Sequence, residues 1–156
     1  MNSDKTALAV AALRNGTVID HIPSRTLFKA VKILGIEKLD RHVTIGNNLD
    51  SKRYGTKGII KVADIEFPEA ILNRIAIIAP RAKVNIIRDY EVVEKHAIQL
   101  PQTLVDLVKC ANPKCITNNE PMHTRFEVVE SNDPDDVTLK CRYCGQTVKS
   151  SDAIIE

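Results

Sequence analysis

Four cysteines constrain this chain more than any other residues. They fall in two short hooks, Cys110-Ala-Asn-Pro-Lys-Cys115 and Cys141-Arg-Tyr-Cys144, and the 156-residue sequence contains no others. Two hooks parted by a longer segment offer the ligand count and reach of a tetrahedral, four-thiolate zinc site. Disulfides are the alternative, but a Cys-x2-Cys hook is strained as a bridge, and Met1-Asn-Ser-Asp-Lys5 lacks the apolar core of a signal peptide. Four thiolates leave no coordination position open to water or substrate. The expected ion is therefore structural and organises the C-terminal part of the chain.

The remaining composition is globular, with 44% hydrophobic and 27% charged residues. No apolar run approaches the ~20 residues of a membrane span, so no membrane partner is expected, and zinc held by free thiolates suits a cytoplasmic setting. The charge is unevenly placed. Residues 1–100 carry 16 Lys+Arg against 11 Asp+Glu, a net of +5, whereas residues 101–156 carry 6 against 9, a net of −3. A nucleic-acid-binding ribbon is expected to be basic, because phosphate neutralisation dominates its affinity. This one is acidic, so an anionic ligand is expected in the N-terminal half.

Along the chain, residues 7–22 read as extended, with a polar break at Arg14-Asn15-Gly16. Pro23-Ser24 opens a helix whose apolar positions Leu27, Val31 and Leu34 recur at helical spacing and which Gly35 stops. Residues 41–45 and 59–63 read as strands, the first ending at Gly46-Asn47-Asn48, with a polar loop over residues 51–58 between them. Phe67-Pro68-Glu69 begins a second helix with the stripe Ile71, Leu72, Ile75 and Ile78, ended by Pro80. Residues 83–93 are strand-like, and 94–101 form a polar passage. The order β-α-β-β-α-β predicts an α+β fold: a ferredoxin-like antiparallel sheet with two helices on one face. Short β patterns and the acidic turn Asn132-Asp-Pro-Asp-Asp136 follow, hung on the two cysteine hooks. They predict a small β zinc-ribbon, and the domains divide as 1–100 and 101–156, with Pro101 at the joint.

Several polar residues interrupt strand patterns where packing alone does not call for them. The Asp20 carboxylate at a strand end suits ribose hydroxyls and the adjacent His21 suits a phosphate; a cap or a surface pair is the plainer reading. Lys61 and Lys95 are point charges suited to polyphosphate, and equally ordinary surface lysines. Asn85 fits a base or sugar, or else the solvent, and Tyr90 fits the flank of a base, or else covers the sheet edge. Neither a Gly-x-x-x-x-Gly-Lys phosphate loop nor a Gly-x-Ser-x-Gly elbow occurs. His42, His96 and His123 have no spacing that unites them with a base or nucleophile, so no enzymatic activity is expected.

The block Gly16-Thr-Val-Ile-Asp-His-Ile-Pro23 leads a series that continues with Arg41-His-Val-Thr-Ile-Gly-Asn-Asn-Leu49, Gly58-Ile-Ile-Lys61, Ala79-Pro80, Val84-Asn85, Tyr90-Glu-Val-Val93 and the four cysteines. In this order the series resembles the aspartate carbamoyltransferase regulatory chain family. The resemblance implies a non-catalytic subunit serving pyrimidine biosynthesis, which binds the nucleotides ATP and CTP, with UTP a further candidate effector. It also implies a regulatory-chain homodimer and docking of the zinc domain on a catalytic chain. By family likeness Ala12 and Leu13 lie near the base, Val18, Asp20 and His21 lie beside ribose and phosphate, Lys61 and Lys95 hold ribose or phosphates, and Asn85, Ile87, Tyr90 and Val92 complete the wall. The rival from another class is a zinc-ribbon nucleic-acid-binding protein, which requires a basic, aromatic-bearing ribbon; only Phe126 and Tyr143 are aromatic there.

Overall fold

The computed structural model describes residues 12–52 and 55–156. Residues 7–11 of the stretch expected to be extended lie outside them. A five-stranded antiparallel sheet is built from β1 (Gly16–Ile22), β2 (Val43–Ser51), β3 (Gly55–Ala63), β4 (Lys83–Arg88) and β5 (Glu91–Ala97), in the order β2-β3-β1-β4-β5. The first four strands give the ferredoxin-like arrangement, with β5 added at one edge. Two helices, α1 (Leu27–Leu34) and α2 (Glu69–Ile78), complete the layer.

Local chemistry accounts for most element ends. A Cβ at Gly16 would stand 2.1 Å from the Val62 carbonyl oxygen, and φ there is 143°, so only glycine lets β1 begin against β3. A 3-10 turn, Ser24–Thr26, leads into α1, and its Thr26 hydroxyl donates to the Ile78 carbonyl at 3.0 Å, joining the start of α1 to the end of α2. Leu27, Ala30 and Leu34 form the buried stripe of α1, which stops at left-handed Gly35 (φ 66°). Gly58 allows Leu27 to approach β3: an added Cβ would lie 2.8 Å from Leu27 Cδ1. Pro68 precedes α2, whose last turn is buried from Ile75 to Ile78. Ile19, Ile60, Val62, Val84 and Ile86 project from the sheet into this core, and each such side chain contributes roughly 1.5–3 kcal/mol by leaving water.

Three sequence expectations change. The loop expected over 51–58 is largely strand, because Gly46 and Asn48 (φ 56°) absorb a bulge in the β2–β3 register rather than ending β2. Residues 83–93 are two strands, not one. Asp89 (φ 50°) and Tyr90 (φ 67°) both take the left-handed conformation of a two-residue hairpin turn, and β5 runs on to Ala97 through the passage expected to be irregular. That strand is exposed at every residue, and so offers no burial pattern by which to recognise it.

The C-terminal part carries a second sheet in the order β10-β9-β8-β6, from β6 (Thr103–Val105), β8 (Arg125–Val129), β9 (Thr138–Cys141) and β10 (Thr147–Lys149). A two-stranded pair joins β7 (Val108–Lys109) to β11 (Ile154–Ile155). Leu104, Val108, Phe126, Leu139 and three of the cysteines fill its small core, as expected of a β ribbon assembled around four cysteines.

Candidate functional site

The four cysteine sulfurs gather at one point, all within 4.8 Å of one another. Cys110 Sγ lies 3.6 Å from Cys144 Sγ, and Cys115 Sγ lies 3.8 Å from Cys141 Sγ. A disulfide would hold its sulfurs at about 2.05 Å. A tetrahedron of thiolates each ~2.3 Å from a central zinc has edges of about 3.8 Å. The spacing therefore fits a shared cation and not a bridge.

Each hook has a shape built by its own backbone. The Cys115 amide donates to the Asn112 carbonyl at 3.0 Å, and Gly145, at φ 78°, returns its amide to the Cys141 carbonyl at 2.9 Å. Asn118 Nδ2 braces the first hook through the carbonyls of Cys110 (2.9 Å) and Asn112 (2.7 Å), and Asn119 Nδ2 does so through those of Pro113 (3.1 Å) and Cys115 (2.9 Å). The thiols have unequal acidities. Burial pushes the Cys110 thiol up to about 12, whereas the Gln146 backbone amide draws that of Cys144 down to about 7. Burial also raises the Cys141 thiol, while at Cys115 it opposes ionisation but is outweighed by hydrogen bonds from Thr117. Four thiolates at this separation coexist only with a cation among them. Zinc fits the donor set, and when bound it supplies folding free energy rather than reaction chemistry.

The strand register gathers most of the other candidate residues on one face of the large sheet. Thr44 of β2 pairs with Lys61 of β3, Lys61 with Val18 of β1, Val18 with Asn85 of β4, and Asn85 with Lys95 of β5. Residues paired across strands share a face, so these five form one row across the sheet, opposite the helices. Asp20 stands two residues along β1 from Val18, and Ile87 two along β4 from Asn85 and directly across from Val92. Burial lowers the pKa of Lys61, and the Asp20 carboxylate opposes that shift.

Asp20 is the hub of one end of this face. It accepts the His21 backbone amide at 2.7 Å and receives Lys57 Nζ at 3.0 Å; its other oxygen lies 4.0 Å from His21 Nε2. His21 sits at φ 61° in a bulge of β1, which shifts the strand's alternation and sends Ile22 back into the core. Ala12, Leu13 and Tyr90 lie at the other end, where the Arg14 carbonyl accepts the Tyr90 amide at 2.9 Å. The two ends are separated by the length of β1 between Gly16 and Asp20 together with the residues that precede Gly16. Lys57 lies within the segment expected to be a loop; β3 runs through it opposite Leu49 of β2, and the pairing of β3 with β1, Gly58 against Ile22, sets it beside Asp20. Two histidines also gain carboxylate neighbours that spacing does not show, His123 with Asp106 at 2.6 Å and His96 with Glu94 at 3.4 Å, all exposed.

Among the described residues no helix is long and apolar enough to cross a membrane. Residues 8–99 match the family described as aspartate carbamoyltransferase regulatory chain, allosteric domain, and residues 102–154 match the metal binding domain of the same chain. The chain is 56% identical over 155 residues to proteins from Bacteroides fragilis and Bacteroides thetaiotaomicron, covering 99% of each partner. It is 42% identical over 154 residues to one from Vibrio cholerae, covering 99% of this chain and 97% of that protein. All three are named aspartate carbamoyltransferase regulatory chain. With a matched metal binding domain where the four sulfurs meet, and relatives aligned over nearly its whole length, this chain belongs to the aspartate carbamoyltransferase regulatory chain family.

Proposed function

We propose that the chain is a non-catalytic allosteric subunit. Residues 1–100 bind a nucleoside triphosphate, ATP or CTP, on the open face of the sheet, and residues 101–156 fold around one zinc ion and dock on a cytoplasmic aspartate carbamoyltransferase catalytic chain of pyrimidine biosynthesis. A second copy of the chain pairs with it. The observation that carries the nucleotide reading is the row Lys61, Val18, Asn85 and Lys95, two cations flanking an apolar and an amide side chain across four paired strands. The amide and the backbone of residues 12–13 suit a base edge, Asp20 accepts ribose hydroxyls, and Lys61 and Lys95 meet phosphate oxygens. Cys110, Cys115, Cys141 and Cys144 hold the zinc, whose binding contributes on the order of 10 kcal/mol to the folding of a ribbon this small. The nucleotide takes no part in chemistry. It shifts the enzyme between quaternary states by binding one of them more tightly.

Calorimetry of the full chain tests this. Lys95→Ala weakens CTP more than cytidine, because it removes a phosphate partner and leaves the nucleoside contacts in place. Equal CTP affinity in wild type and Lys95→Ala would overturn the assigned pocket.

A further inference from the structure

Two arginines of the sheet-bearing half reach across to one turn of the metal ribbon. Arg25, in the 3-10 turn after β1, places Nη2 2.7 Å from Asp133 Oδ2. Arg81, between α2 and β4, forks onto Asp135 with Nε 2.8 Å from Oδ1 and Nη2 2.5 Å from Oδ2. The partners are 108 and 54 residues apart in sequence. Both carboxylates belong to the acidic turn between β8 and β9, and that turn is stiffened from within. Asp133 Oδ1 accepts the Asp135 amide at 2.9 Å, Ser131 Oγ donates to the Asp136 carbonyl at 3.0 Å, and the Asp136 side chain is buried against Ser150 and Ser151. Asp133 thus uses one oxygen to shape the turn and the other to hold Arg25, whose hydrogen bond keeps its carboxyl below the usual range.

A polar cleft of about 320 Å³ separates the two sides. His21, Arg25 and Lys57 line one wall, and Asp133 and Asp135 the other. Lys57 is the residue bridged to Asp20, and Arg25 follows Asp20 by five residues in one short connection. A group that binds at Asp20 and His21 therefore bears on the same backbone segment that carries the arginine. Partly exposed ion pairs contribute little to overall stability and are screened by salt. Side by side on a joint, they suit an orientation that is held and can be changed.

We propose that Arg25, Arg81, Asp133 and Asp135 form an ionic clamp that sets the orientation of the metal ribbon relative to the sheet, and that ligand binding at Asp20 and His21 reaches the ribbon through it. These four are positioning residues. The clamp itself stands on the contacts above, and its transmission role rests on the nucleotide reading proposed for the sheet face.

The test compares holoenzyme reconstituted with wild-type chain, with Arg25→Ala plus Arg81→Ala, and with the charge exchange Arg81→Asp plus Asp135→Arg. CTP affinity is measured by calorimetry, CTP response as the fold-change in activity, and backbone hydrogen exchange over residues 24–27 and 132–136. The double alanine variant is expected to keep CTP affinity while its response falls by about fivefold or more, the scale of ordinary allosteric coupling. Its amides in both segments exchange faster, and the exchanged pair recovers part of the response. Raising salt from roughly 0.05 to 0.5 M should diminish the wild-type response toward that of the variant. A double variant that responds as wild type does would overturn the transmission role, and lost CTP affinity would put the arginines in the pocket instead. Should wild type bind no CTP, the nucleotide reading fails while the clamp is still judged by exchange: unchanged protection in the double variant overturns it.

Discussion

Replacing Asp136 isolates the anchor of the acidic turn. The residue is only 6% exposed, and three donors face its carboxylate. The Ser151 amide lies 2.9 Å from Oδ1, the Ser151 hydroxyl 2.9 Å from Oδ2, and the Ser150 hydroxyl 3.2 Å from Oδ1. Burial opposes the charge, but the Ser151 amide and the two hydroxyls outweigh it and hold the carboxyl below the usual range. A hydrogen bond to a charged group contributes about 1.5–3 kcal/mol, and part of that gain offsets the cost of burying the carboxylate. Asp136→Ala is therefore expected to cost about 2–4 kcal/mol, and Asp136→Asn about 1–2 kcal/mol, since the amide oxygen still accepts from Ser151 while its nitrogen cannot. In thermal unfolding of the metal-loaded full chain, the alanine variant should melt roughly 5–15 °C below wild type.

The pH dependence gives a second check on the same anchor. A folded-state pKa below the unfolded value of about 3.9 means that the stabilisation is complete above that value and is lost as pH falls through the folded pKa. The gap between wild type and Asp136→Asn should therefore stay flat from neutral pH to about 4 and close below it. Metal loss in acid affects both proteins, so the difference between them is the quantity to follow. An asparagine variant as stable as wild type at pH 7, or a gap that closes well above pH 4, would refute the account.

Three other outcomes follow from the geometry. Ejecting the metal with a mercurial should unfold the ribbon and release the chain from its catalytic partner, seen as a shift in size on a sizing column; an intact complex after metal loss would separate folding from docking. Gly16→Ala should destabilise the sheet by about 3 kcal/mol or more in denaturant titration, because its Cβ would overlap the Val62 carbonyl; near-wild-type stability would mean that β1 and β3 separate at little cost. Phe126→Ala empties the largest side chain in the ribbon core and should cost about 3–5 kcal/mol, raising the metal concentration needed to hold the fold in a chelator titration.

What the sequence determined by itself is what depends on spacing over a few residues. The cysteine cluster was legible because each hook closes within its own turn, so two hooks bring four sulfurs together wherever the ribbon folds. The helices were legible for a similar reason: Leu27 and Leu34 recur on one stripe, Gly35 can take φ 66°, and Pro68 suits a helix start. The blocks from Gly16 to the last cysteine also carried the family. The tertiary structure alone decided which distant residues face one another. Glycine and asparagine at Gly46 and Asn48 read as an end, yet a paired neighbour turned them into a bulge, and the exposed β5 exists because β4 offers its edge. Lys57 became the partner of Asp20 only once the register of β2, β3 and β1 was set, and a bulge at His21 moves that register's faces by one residue. Arg25 and Asp133 lie 108 residues apart, and no local pattern relates them. Hydrogen bonds between strands, and packing between the two halves, carry that information because they act across space rather than along the chain.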